Sequence, residues 1–190
     1  EKPGTMNDQR LGPITSYFGA VQLLLTKGYQ VVRFGTTGMT PFPEFPGLVD
    51  LVRLDPEQTS LHAFLLANSR FLISTMSGPS ALAINMGTPT LITNTIAYGR
   101  NSLRGPSGTM SLPKHYHGRD SKKKLSLSEL LASPIAFSDE YFEPQFLMPK
   151  ASPNTDLEIL EATADMIELD RNGFEKELIP SHAVDKIRSE

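Results

Sequence analysis

The chain has no cysteine at all, so a disulfide scaffold and a cysteine-based zinc site are both excluded. It also lacks any apolar run approaching the roughly 20 residues that a bilayer-spanning helix needs. A basic excess is missing too. The formal net charge is −3, and no interleaving of basic with aromatic residues gives the electrostatic footprint of a nucleic-acid binder. The opening "EKPGTMNDQR" shows neither a signal-peptide pattern nor an initiator methionine, which leaves the true N-terminus and targeting open on that side. Internal repeats and low-complexity tracts are absent.

What is present suits one globular, soluble domain with a proper core: 190 residues, 39% hydrophobic and 21% charged. Residues 1–12 read as a lead-in loop. "GPITSYFGAVQLLLTKG" predicts a helix over 13–27, with Pro13 in its first turn and Gly28 as the C-cap glycine. Strands are predicted near 30–34, 48–53, 71–74 and 89–93 from short β-branched, apolar runs. Further helices are predicted over 60–68, 79–86 and 156–171, with a brief one in "LSLSELLAS". Thr155 and Glu158 have capping-box spacing at the start of the last long helix, and Gly173 stops it. "TTGMTPFPEFPG" cannot be regular, because prolines interrupt it. The polar stretch from Thr95 to Met110 reads as a loop, and "SLPKHYHGRDSKKK" as a basic segment. Short apolar strands alternating with helices predict an α/β domain over 13–173: a doubly wound, mostly parallel, Rossmann-like sheet. Residues 174–190 read as a charged tail.

"STMSGPS", residues 74–80, is a polar turn between a buried strand and a buried helix. In open α/β sheets ligands lie beyond the carboxyl ends of the strands, and a helix N-terminus there favours an anion. Gly78 lets the backbone come close to a ligand, Pro79 removes an N–H that has no helical partner, and Ser77 and Ser80 can donate to phosphate oxygens. Equally, Ser77 or Gly78 can simply cap the helix. The local sequence leaves both readings standing.

"FLISTMSGPSALAINMGTPTLITN" resembles the nucleotide-binding segment of GT-B glycosyltransferases, including heptosyltransferase-like enzymes. The wider order of "YQVVRFG", "VDL", "RFLISTMSG", "GTPTLITN", "SLPK" with "KKKLSLSELL", and "NTDLEILEATADMIEL" is similar to a family of little-characterised bacterial GT-B-type glycosyltransferases. That likeness spans about residues 10–172. It implies that the chain is the C-terminal, donor-binding half of a two-domain enzyme whose N-terminal domain precedes residue 1. It further implies a nucleotide-diphosphate sugar as donor, a glycan or lipid-linked acceptor, and no metal or other cofactor. A cytoplasmic location is expected, with contact at the inner face of a membrane left open. A non-catalytic module that binds a sugar nucleotide or another partner, and a GT-B-like sugar-nucleotide epimerase, are the alternatives.

On that likeness Arg33, at the end of a strand, is a candidate to neutralise the donor diphosphate as it leaves, or else a surface arginine paired with a carboxylate. Gly35 and Thr36 would line the same crevice, with Ser74, Thr75, Ser77, Gly78, Pro79 and Ser80. Asn94 and Thr95 end the fourth strand and are candidates for donor contact, although asparagine there is often only a turn former. Tyr98, Arg100 and Arg104 lie on the following loop, and Lys114 belongs to the "PK" turn. The catalytic base is not assigned. His115 and His117 form H-x-H, but no third ligand with suitable spacing is evident, so no metal site is expected.

Overall fold

The computed structural model describes residues 12–35, 39–53, 59–96, 105–117, 123–137 and 150–174. Thr36, Tyr98, Arg100 and Arg104 lie outside the described residues, as do residues 1–11 and 175–190. The architecture is α/β with parallel strands. Helix α1 (Phe18–Thr26) is preceded by a single 3-10 turn, Ile14–Tyr17, so the helix predicted from residue 13 starts more tightly wound. Its end is as expected: Gly28 takes φ +85°, and the Tyr29 N–H bonds the Leu24 carbonyl at 3.0 Å.

Strands β1 (Val31–Arg33) and β2 (Leu48–Asp50) pair in parallel, with Arg33 opposite Asp50. The strand expected to run to residue 53 stops at Asp50, because the Asp50 carboxylate accepts the Val52 N–H at 3.2 Å and turns the chain into a 3-10 turn, Leu51–Arg53. Helix α2 (Thr59–Asn68) follows. Then come β3 (Leu72–Thr75), helix α3 (Gly78–Asn85) and β4 (Thr90–Thr95). β3 and β4 pair in parallel, and β4 pairs in parallel with a further strand, β5 (Met110–Pro113). That last strand corrects the loop expected up to Met110. Its Met-Ser-Leu alternation was the available signal, since Met110 and Leu112 pack inward.

Within the basic segment, "HYH" forms β6 (His115–His117), antiparallel to β7 (Lys150–Ser152). Helices α4 (Leu127–Leu131) and α5 (Asp156–Arg171) complete the order. The parallel strands fall into a two-stranded and a three-stranded sheet rather than the one continuous sheet expected. Side-chain packing joins them: Phe34, just past β1, lies against Leu66, Leu72 and Ala83.

Successive residues of a strand point to opposite faces, and here both faces are covered by helices. Ile73, Leu91, Met110 and Leu112 pack with Ala162, Met166 and Leu169 of α5. Leu72 packs on the other side with Leu66 of α2 and Ala83 of α3. All six residues of β4 are buried, as suits a central strand. Its threonines find partners within the protein: Thr90 bonds the Thr88 carbonyl, Thr93 the Ser74 carbonyl and Thr95 the Ile92 carbonyl. Buried hydroxyls satisfied in this way avoid the desolvation cost of an orphan. No helix among the described residues is long and apolar enough to cross a membrane.

Candidate functional site

Register brings the carboxyl ends of β3, β4 and β5 to one edge. Thr75 lies opposite Thr93, and Thr95 lies opposite Pro113. Lys114 continues from β5 and bonds the Thr95 carbonyl through its own N–H at 3.0 Å. Met76, in the turn after β3, packs with Ile96, whose N–H lies 3.3 Å from the Met76 sulfur.

The "STMSGPS" turn is built from its own hydroxyls. Ser77 stands as N-cap of α3 in extended conformation. Ser80 Oγ accepts the Ser77 N–H at 3.0 Å and donates to the Ser77 carbonyl at 2.8 Å. Ser80 is buried, so its hydroxyl serves the cap. Ser74 Oγ bonds the Thr75 carbonyl and lies 3.2 Å from Ser77 Oγ. Pro79 occupies the first turn of the helix, where no N–H is needed. Gly78 stands apart from these. It does not take a left-handed φ, and a Cβ placed there would meet no heavy atom within 4 Å. Neither backbone conformation nor crowding by the protein requires glycine at this point.

Asn94 and Thr95 are fully buried, and their side chains are spent on the protein. Asn94 takes φ +54°, within the stretch where the β4–β5 register shifts. It forms a reciprocal bridge with Asn154: the Asn94 N–H donates to Asn154 Oδ1 at 2.6 Å, and the Asn154 N–H donates to Asn94 Oδ1 at 2.8 Å. Asn154 Nδ2 reaches the Pro113 carbonyl at 2.8 Å. Both residues therefore hold the edge together from inside.

Arg33 is likewise engaged. One guanidinium nitrogen contacts both Asp50 oxygens, at 3.1 and 3.0 Å, while the other bonds the Thr40 carbonyl. The carboxylate partner weighed for Arg33 is thus present. A Cβ at Gly35 would fall 2.5 Å from the sulfur of the exposed Met39 and 3.0 Å from Val52, so Met39 would have to move to admit one.

Lys114 is only 6% exposed, and burial lowers its amine below the ordinary lysine range. It lines a cavity of about 900 Å³ beside β5, α4 and the start of α5. On the cavity wall His115 Nε2 lies 2.7 Å from Glu158 Oε2, while His117 Nε2 lies 3.2 Å from Ser152 Oγ. Burial pushes the Glu158 carboxyl up, but bonds from the Thr155 N–H, His115 and the Thr155 hydroxyl outweigh it and hold the carboxyl at about 2. Among the described residues no group of three His, Asp or Glu side chains is arranged to hold a metal ion.

Sequence reasoning missed Asp50 and Asn154, which organise the sheet edges. Comparison with protein-family models, with curated proteins and with solved structures returned no match.

Proposed function

We propose that the chain binds a nucleotide-diphosphate sugar at the shared edge of β3, β4 and β5, as the donor half of a GT-B-type glycosyltransferase with a doubly wound, Rossmann-like core. Gly78 is the observation that carries this reading: a glycine at a helix N-terminus, on the ligand edge of a parallel sheet, with open space beside it. The diphosphate would approach the Gly78 amide at the start of α3, since Pro79 has no N–H and the Ser80 and Ala81 amides are taken by Ser77. The Ser77 hydroxyl is engaged by the Ser80 N–H and Ser74, so it holds the turn in place, and Lys114 brings positive charge to the same edge. Two strand spacings, roughly 10 Å, separate the two sides, a span that suits a nucleotide sugar better than a lone phosphate. Because Arg33 is held by Asp50, stabilisation of the leaving diphosphate falls to the N-terminus of α3 at Gly78 and to Lys114. The acceptor is a glycan or lipid-linked sugar met on the cytoplasmic side, and donor binding needs no metal.

The test is a calorimetric titration of UDP-, GDP-, ADP- and CDP-sugars against wild type, Gly78→Ala and Gly78→Val. One nucleotide class should bind the wild type. Gly78→Val should then lose about 1.5–3 kcal/mol of affinity, the worth of a hydrogen bond to a charged group. Gly78→Ala should fold as well or better, gaining about 0.5–1 kcal/mol because the added methyl stiffens the unfolded chain and meets nothing. A folded Gly78→Val that binds the donor as tightly as wild type would show that the turn only caps the helix.

A further inference from the structure

His115, on β6, has one ring nitrogen committed. Its Nε2 lies 2.7 Å from Glu158 Oε2. That carboxyl is held at about 2, against the upward push of burial, by bonds from the Thr155 N–H, His115 and the Thr155 hydroxyl. Glu158 is therefore a carboxylate with no proton to give, and the proton of this contact sits on His115 Nε2. In a neutral imidazole that leaves Nδ1 bare, as an acceptor. Nδ1 has no hydrogen-bond partner among the described residues, and it is not sealed from solvent.

The pair sits in the wall of the cavity beside β5, which at about 900 Å³ has room for a sugar. His117, on the same face of the strand, is not part of that wall and lies 3.2 Å from Ser152 Oγ. The other carboxylate on the wall, Glu129, is held below its ordinary range by the Ser126 N–H and hydroxyl and by Lys123. Like Glu158, it is too weak a base to take a catalytic proton well. Helix α5 does not need the histidine for its cap, because Thr155 and Glu158 satisfy one another. A carboxylate that fixes one imidazole nitrogen while the other stays open is the arrangement of a general base.

We propose that His115, oriented by Glu158, is the base that takes the proton of the acceptor, a sugar hydroxyl entering the cavity beside β5. The inference rests on the donor reading above. β6 follows β5 with only Lys114 between them, so His115 lies on the β5 side of the edge. That side is two strand spacings, roughly 10 Å, from β3, and a donor whose diphosphate lies at Gly78 would extend its sugar toward it. In the step, the acceptor O–H gives its proton to Nδ1 and the oxygen bonds the anomeric carbon. The bond from that carbon to the diphosphate breaks, its electron pair leaving on the phosphate oxygen.

The full chain, given the nucleotide sugar that binds it, is assayed for release of the nucleoside diphosphate, with water and then free monosaccharides as acceptors. Wild type should release it. His115→Gln, which still offers Glu158 a donor, should lose about 10²–10⁴-fold in kcat with donor affinity unchanged. Glu158→Gln, which keeps the capping-box pairing, should lose about tenfold or more, since its amide can hold the imidazole in the wrong tautomer. Added imidazole should restore part of the rate to His115→Ala, a rescue that a merely structural histidine would not allow. Circular dichroism confirms each fold, and histidine nitrogen shifts at neutral pH should place the His115 ring proton on Nε2. Three results overturn the base while the donor site stands: a proton on Nδ1, a folded His115→Gln with wild-type kcat, or a wild type that binds donor yet releases no nucleoside diphosphate. If no nucleotide sugar binds, the donor reading fails and this step fails with it.

Discussion

Asp50→Ala should destabilise the protein by about 3–5 kcal/mol, the usual cost of stripping one partner from a buried ion pair. Asp50 has a side chain only 5% exposed, and it serves more than Arg33. It also accepts the Phe42 N–H at 2.8 Å and the Val52 N–H at 3.2 Å. Phe42 is buried, with its ring 4.9 Å from Phe18 and 5.8 Å from Phe45. Loss of the carboxylate would therefore release the chain between β1 and β2 from α1, besides leaving Arg33 without its counter-charge. Equilibrium urea unfolding of Asp50→Ala, Arg33→Met and the double variant measures this. The double variant should recover part of the loss, because removing both partners leaves no unpaired charge. A cost below about 1 kcal/mol, as for an exposed pair, would mean that Asp50 does not organise this region. Arg33→Met should leave nucleotide-sugar affinity unchanged, since its guanidinium is already committed.

Asn154→Ala should cost about 1–3 kcal/mol for the buried N–H that loses its partner, with a smaller addition from a partly buried carbonyl. Those groups are the Asn94 N–H and the Pro113 carbonyl, both served by the Asn154 amide. The same side chain steadies Asn94 in its left-handed conformation, which an unsupported residue would tend to leave. Urea unfolding gives the size of the effect. Amide hydrogen exchange gives its place: faster exchange is expected at Asn94 and at the Asn154 N–H, while the β1–β2 pair is unaffected. A change within about 0.5 kcal/mol, the range of an ordinary surface substitution, would contradict the bridging role.

These two residues also show why parts of the fold were hidden in the sequence. Helix α5 was legible from Asp156 to Arg171, because a capping box and a stop glycine are local signals read a few residues apart. β1, β3 and β4 were legible as apolar runs, within a residue or two at their ends. Asp50 and Asn154 were not, because their partners lie far along the chain. Arg33 meets Asp50 only through the parallel register of β1 and β2, and Asn94 meets Asn154 across 60 residues. Register and long-range amide pairs leave no spacing to read. β5 and β6 were passed over because serine, proline and histidine dilute their alternation. At the candidate site the turn and the strand ends were legible. That Asn94 and Thr95 face inward was not, because the direction of a strand-end side chain depends on the register shift in β4.

The proposed donor site is tested most directly by mapping backbone amide chemical shifts as the tightest-binding nucleotide-diphosphate sugar is added to the isotope-labelled chain. Shifts are expected to concentrate on Ser77 to Ala81 (Pro79 having no amide), with smaller ones at Thr95, Ile96 and Lys114 on the neighbouring strand ends. Saturable shifts confined to other surfaces, such as the Arg33–Asp50 region or α2, with the amides of Gly78 and Ser80 unmoved, would contradict a donor site at this edge.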